Sequence, residues 1–252
     1  KFLAAVKEQG STFHVGKYNA ALAYQRCKNA TEANKLFKEI LAANPKFHRA
    51  RVQVALYQFQ ADKNIEHGIS EMNTAIEHAQ FKNEEALVNL AMFQMLRDND
   101  VSDDYGKNDF ERAKRNLQTA LAVNDSFMPA FNQLAVYYLE TAKKKAGRVK
   151  GKTAVAAASD TNKKKANVEA LELAALVCSQ ALRKNPRYAP VYNTSGLIAA
   201  ELGDLSLAAR SFGTARKLDP KFFEAHMNFA AVNLQFRGFK NSEVAYLEAI
   251  KL

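Results

Sequence analysis

A chain of 252 residues in which 48% of the side chains are apolar and 25% are charged can bury an extended core, and it is neither disordered nor fibrous. Its formal net charge of +10 invites a nucleic-acid or membrane reading of the whole surface, but no run of about 18 apolar residues is present that could span a membrane. Two cysteines, Cys27 and Cys178, supply no disulfide framework.

Apolar and small residues recur at helical spacing along the chain, and in order they predict a series of helical hairpins. After a leading piece in which Phe2 and Ala5 stand like the end of a helix, the first complete hairpin (13–45) carries Ala20, Ala21, Tyr24, Ala33, Phe37 and Pro45. A weaker one (46–80) is marked by Val54, Ala55, Gly68, Met72 and Ala75. The third (83–125) has Leu87, Leu90 and Ala91, then Ala113, Leu117 and Ala120, with an inserted stretch at 98–109. The fourth (127–186) has Phe131, Leu134, Ala135 and Tyr138, then Ala174, Cys178, Ala181 and Pro186, with an insertion at 143–165. The fifth (187–220) is the most regular. Tyr192, Ser195, Gly196 and Ala199 share one face of its first helix, Gly203-Asp204 breaks the chain, and Ala208, Phe212 and Ala215 lie at helical spacing before Asp219-Pro220. Gly196 lets the second helix cross close to its backbone. The sixth (221–252) repeats the pattern with His226, Phe229, Ala230, Ser242, Tyr246 and Ala249.

These residues resemble the tetratricopeptide repeat, whose pattern is an aromatic, a Leu-Gly pair, a Tyr, then Ala, Phe and Pro; Ser195 stands here for the leucine and Ala199 for the tyrosine. The resemblance implies an all-α superhelical solenoid of about six hairpins, with insertions in the third and fourth complete repeats. One elongated array rather than two domains is expected, since each repeat buries its apolar face only against its neighbours. Both ends fall inside the pattern and no polar capping helix follows Leu252, so the sequence reads as part of a longer chain. The stretch from Asn193 through Gly196 to Phe236–Phe239 is also similar to tetratricopeptide proteins of bacterial envelope and gliding-motility machinery. That likeness implies a membrane-associated assembly in the envelope or periplasm, with the cytoplasm as the alternative.

The charge is not spread evenly. Between 143 and 165, Lys143, Lys144, Lys145, Arg148, Lys150, Lys152, Lys163, Lys164 and Lys165 face only Asp160, a surplus of eight of the chain's ten net charges. The segment is a solvated insertion that extends the flanking helices or forms a loop. It has no stacking aromatic residue and no Gly-Arg pattern, which argues against nucleic acid as the partner. Electrostatic docking to an anionic surface through these lysines stands as the alternative function. The other insertion is acidic, with Asp98, Asp100, Asp103, Asp104 and Asp109 against Lys107. Equivalent turns of a solenoid project from one edge, so the two insertions are expected to be neighbours.

Chemistry is sparse. The aspartates at 98–109 lack the central glycine and closing glutamate of a calcium loop. His67 and Glu71 lie one helical turn apart without a third ligand. No phosphate-cradling glycine motif, nucleophile elbow or zinc spacing occurs, so no metal, cofactor or catalytic role is expected. Cys178 is expected as a buried free thiol.

The resemblance implies a protein- and peptide-binding scaffold whose first helices line a concave groove. Candidate groove residues are Leu56, Asn89 with Met92, Asn132 with Val136, Asn193 with Leu197, and Asn228 with Gln235, with Met95 further along. A carboxamide offers a donor and an acceptor, so a ladder of asparagines suits the main chain of an extended peptide, and the apolar neighbours would select its side chains. Some family members clamp a terminal carboxylate with lysines and arginines at such positions. The residues here are Asn, Met, Val and Leu, which does not fit that mode.

Overall fold

The computed structural model describes residues 14–101, 108–147 and 161–252, with backbone only for 145–147 and 161–167. Phe2 and Ala5 lie outside these residues. Among the described residues every regular element is an α-helix: α1 (His14–Arg26), α2 (Ala30–Ala43), α3 (His48–Asp62), α4 (Ile65–His78), α5 (Glu84–Arg97), α6 (Asp109–Val123), α7 (Met128–Gly147), α8 (Thr161–Lys184), α9 (Ala189–Glu201), α10 (Leu205–Leu218), α11 (Phe223–Gln235) and α12 (Phe239–Ile250). The chain packs as two compact units, Lys1–Asp125 with α1 to α6 and Ser126–Leu252 with α7 to α12.

In each unit the helices pack as successive hairpins, α1 on α2, α3 on α4 and α5 on α6, then α7 on α8, α9 on α10 and α11 on α12. Second helices also touch the next first helix, as α2 does α3 and α10 does α11. Local chemistry sets the boundaries. Asn29, Asn64, Asn108 and Asp204 each accept a backbone N–H from the first turn of a second helix, which satisfies donors that the helix cannot. Between hairpins, the side chains of Asn44, Asn185 and Asp219 accept the N–H two residues on, at 3.2, 3.0 and 3.0 Å, across Pro45, Pro186 and Pro220. An Asx turn followed by a proline that cannot continue a helix gives the same sharp reversal each time.

The insertion at 143–165 lengthens its hairpin on both sides. Helix α7 has 20 residues and α8 has 24, against 12 to 15 in the other helices.

Inside the hairpins, large rings sit on small residues. Phe37 and Phe212 are buried, as are Ala21, Ala33, Ala199 and Ala208 beside them. A Cβ at Gly196 would stand 2.5 Å from the Phe212 ring, closer than real carbon atoms approach, and between hairpins one at Gly68 on α4 would stand 3.0 Å from Phe93 on α5. Gly196 is therefore the point of closest approach that the sequence pattern indicates. Gly196→Ala is expected to lower the stability of the second unit by about 1–3 kcal/mol through overpacking, partly offset by alanine's better helix propensity. Thermal unfolding followed by circular dichroism measures this as a lower midpoint, and an unchanged or higher midpoint contradicts the close approach.

Candidate functional site

The first helices of unit one are joined by a chain of polar side chains. Gln25 Nε2 on α1 donates to Gln53 Oε1 on α3 at 3.2 Å, and Gln53 Nε2 donates to Glu85 Oε1 on α5 at 2.6 Å. Burial pushes the Glu85 carboxyl above its ordinary value, with the Gln53 bond and the Arg49 charge opposing. Nearby, burial and then the Glu85 charge push the Tyr18 hydroxyl up to about 12. Asn89 Nδ2 donates to the backbone oxygen of Glu85, one turn back on its own helix, at 2.8 Å. Met92 is 45% exposed on this helix, while Leu56 and Met95 are half-buried.

The same device recurs in unit two. Thr194 Oγ1 on α9 donates to Asn132 Oδ1 on α7 at 2.8 Å, and Asn228 Nδ2 on α11 donates to Asn193 Oδ1 on α9 at 2.9 Å. Asn193 is buried, whereas Asn132, Asn228 and Val136 are half-buried and Gln235 is exposed. Leu197 is half-buried against the cluster of Ala199, Ala208, Phe212 and Val232, so much of its surface is packing rather than socket. The structure thus brings Asn193 together with Asn228 and gives Asn132 to Thr194, while Asn89 is tied within its own helix.

Gln25, Gln53, Glu85 and Thr194 belong to these bridges and are absent from the sequence-derived set. A readable signal was present: Gln53, Thr194 and Asn228 each stand two residues before the small crossing residue of their helix, Ala55, Gly196 and Ala230. That offset places a side chain beside the closest contact of neighbouring helices, where a polar group needs a partner.

The acidic insertion contains one residue of a different kind. Asp109 opens α6 and is fully buried; its Oδ1 accepts from Arg97 and Arg112 at 2.7 and 2.8 Å, and its Oδ2 from Arg97 at 2.7 Å and from the Asn99 N–H at 3.0 Å. Arg97 reaches Glu66 as well, at 2.8 Å. Asp109 is therefore a structural anchor of the third hairpin and not one of a row of solvated loop carboxylates. Asp103 and Asp104 lie outside the described residues, as do Arg148, Lys150 and Lys152 and the side chains of Lys145, Lys163, Lys164 and Lys165, so the expected adjacency of the two insertions falls there too. Lys143 Nζ bonds Glu140 at 3.1 Å and lies 4.0 Å from Glu201.

Cys178 is buried and free, and burial pushes its thiol up to about 11, with a Ser195 bond opposing. Glu71 accepts from Arg51 Nη1 at 2.7 Å rather than sharing a ligand with the exposed His67. Among the described residues no group of three His, Cys, Asp or Glu could hold a metal ion.

Compared with known proteins, the chain matches no protein-family model and no curated protein. Its likeness is to solved structures. TTC0263, a thermophilic TPR protein of Thermus thermophilus, superposes with a TM-score of 0.63 at 21% identity, covering 81% of this chain and 90% of that one. The fold is that of a TPR-like helical repeat protein. Pseudomonas aeruginosa pilF gives a TM-score of 0.58 at 13% identity over 93% and 89% of the two chains. A monomeric mutant of IFIT1 with m7Gppp-AAAA gives 0.76 at 14% identity over 99% of this chain but only 53% of that one. At these identities the comparisons speak to the fold.

The Asp109 cluster yields a pH dependence. Burial alone would raise its carboxyl, but the bonds from Arg97, Asn99 and Arg112 outweigh it and hold the carboxyl below the ordinary 3.8. A carboxyl lowered on folding contributes stability that is full above its unfolded value and is lost as pH falls through its folded value. Acid titration of unfolding free energy should show this loss below about pH 4. Asp109→Asn should remove that limb and cost about 3–5 kcal/mol at neutral pH, because the buried charge that Arg97 and Arg112 share is lost; a neutral effect would show the cluster contributes nothing.

Proposed function

We propose that this chain is a non-enzymatic scaffold that holds an extended peptide or helix of a partner protein along its first-helix faces, as part of a larger assembly. The observation that carries the reading is the set of amide bridges between consecutive first helices. Each bridge fixes the orientation of a carboxamide while using only part of its bonding capacity. Among the described residues, Asn132 Nδ2, Asn193 Nδ2 and Asn228 Oδ1 have no protein partner. A pre-oriented amide loses little freedom when it pairs with a ligand main chain, which is how preorganisation raises affinity. Exposed Met92 in unit one and half-buried Val136 in unit two add adaptable apolar contact beside the amides. A bacterial envelope assembly is the setting we propose, supported by the sequence likeness at Asn193–Gly196 and Phe236–Phe239.

Peptides selected against the chain from a random display library should lose affinity by about 10-fold or more, roughly 1.4 kcal/mol, when Met92→Glu is combined with Asn228→Ala. Leu173→Glu, at a 45% exposed position on the second helix α8, should leave the affinity unchanged. Fluorescence anisotropy gives the dissociation constants and circular dichroism checks helicity. Equal losses from both sets of changes would defeat the first-helix reading, and a steep loss of affinity with salt that ignores both would place the contact on the lysine-rich segment instead.

A further inference from the structure

Between successive second helices, and floored by the first helix that separates them, each unit carries slots. One in unit one lies between α4 and α6, about 480 Å³. Two lie in unit two: about 330 Å³ between α8 and α10, and about 950 Å³ between α10 and α12. Their linings differ in chemistry. The slot between α8 and α10 has Cys178, Leu182, Tyr192, Leu202 and Leu207 in its wall and no charged residue. In unit one, Arg112 and Arg115 stand among amides, and Arg112 is already committed to Asp109. The largest slot is lined by Arg210, Arg216, Lys217 and Lys251 against a single carboxylate, Glu248.

That carboxylate is already engaged. Arg216 Nη2 bonds Glu248, its Nε donates to His226 Nδ1 at 3.1 Å, and its guanidinium lies over the Phe229 ring, 4.4 Å from the centroid. His226 in turn donates from Nε2 to the Pro220 carbonyl at 3.0 Å, which leaves Nδ1 to accept from Arg216. Arg210, Lys217 and Lys251 are exposed, and among the described residues none of them pairs with a carboxylate. At the floor, a Cβ on Gly213 would just touch Phe229 at 3.4 Å, so the glycine leaves the ring accessible from one side.

We propose that the slot between α10 and α12 is a docking site for an acidic, amphipathic segment of a partner protein. Its cationic rim matches carboxylates, and its apolar base, Phe229 of α11 with Ala209 and Gly213 of the α10 wall, takes an apolar side chain. The volume suits several side chains of a short helix or strand. A nucleobase would compete with Arg216 for the Phe229 face, and a recessed slot offers no plane for a lipid surface. The slot opens between second helices, with α11 only as its floor, and the proposal is independent of the first-helix reading above.

The test uses the whole chain and a fluorescein-labelled helix-forming peptide with Glu on one face and Leu on the other, beside a version with Lys in place of Glu. Anisotropy should detect binding of the Glu peptide only. Arg210→Glu with Lys217→Glu, both on exposed side chains, should weaken it at least 10-fold. Gly213→Met, which fills the floor without changing charge, should weaken it as well; its unfolding midpoint is measured alongside, and the charge reversal decides if that variant does not fold. Equal binding of the Lys peptide, or no effect of the double reversal, overturns the proposal. So does loss of binding with Lys143→Glu and Lys144→Glu or with Met92→Glu, which would place the peptide elsewhere, and so does displacement by single-stranded oligothymidylate.

Discussion

Helix backbones that pack side by side must come close enough for a large side chain on one to lie against the backbone of the other. At Gly196 the space that any other residue would fill is occupied by Phe212, and at Gly68 by Phe93. Elsewhere the small partner is alanine, fully buried at positions 21, 33, 50, 91, 113 and 135. Close packing of this kind gains dispersion contacts on every side of the ring and leaves no room for a second solution. The Asx-proline turns at Asn44-Pro45, Asn185-Pro186 and Asp219-Pro220 then set one hairpin on the next with the same reversal, whereas the step from α4 to α5 has no proline and turns through Gln80 and Phe81 at positive φ.

The close fit has a polar counterpart. First helices that approach one another bury Gln53, Asn193 and Thr194 and half-bury Glu85, Asn132 and Asn228 between them, where an unpaired polar group is costly. Gln25, Gln53 and Glu85 resolve this as a relay across three helices, and Thr194 with Asn132 and Asn228 with Asn193 resolve it pairwise. These bonds serve the fold first. They also hold donors and acceptors at fixed directions on one face, so structure and recognition draw on the same residues. The second-helix side is organised otherwise, with slots whose chemistry changes from one pair of helices to the next.

The sequence made the hairpins legible because their rule is local: small and large residues at helical spacing, then a turn residue and a proline. Gly196, Phe212 and Pro220 each stand where that rule requires. The polar bridges were less visible, since Gln53 and Thr194 differ in type, and only their shared offset from Ala55 and Gly196 relates them. In sequence Asp109 is one of five loop aspartates, because composition does not distinguish a solvated carboxylate from one gripped by Arg97 and Arg112, which lie twelve residues before it and three after. The basic slot draws its residues from α10, α11, α12 and the turn after it, and no window of sequence contains Phe229 and Arg210 as neighbours. Tertiary encounters of this kind leave little trace in one-dimensional spacing.

Asp109 does more than neutralise two arginines. Its N–H donates to the Asn99 carbonyl at 3.1 Å while its carboxylate takes the Asn99 N–H at 3.0 Å, so the chain is fastened to itself at the base of the insertion. Asn99 and Asp109 are 10 residues apart in sequence, and the entropic cost of a connecting loop grows only by about 0.6 kcal/mol for each doubling of length. Residues could be added to or removed from that loop with little change in how α5 meets α6. The third hairpin is thus a natural grafting point, where a new peptide could be displayed without retuning the packing that carries it.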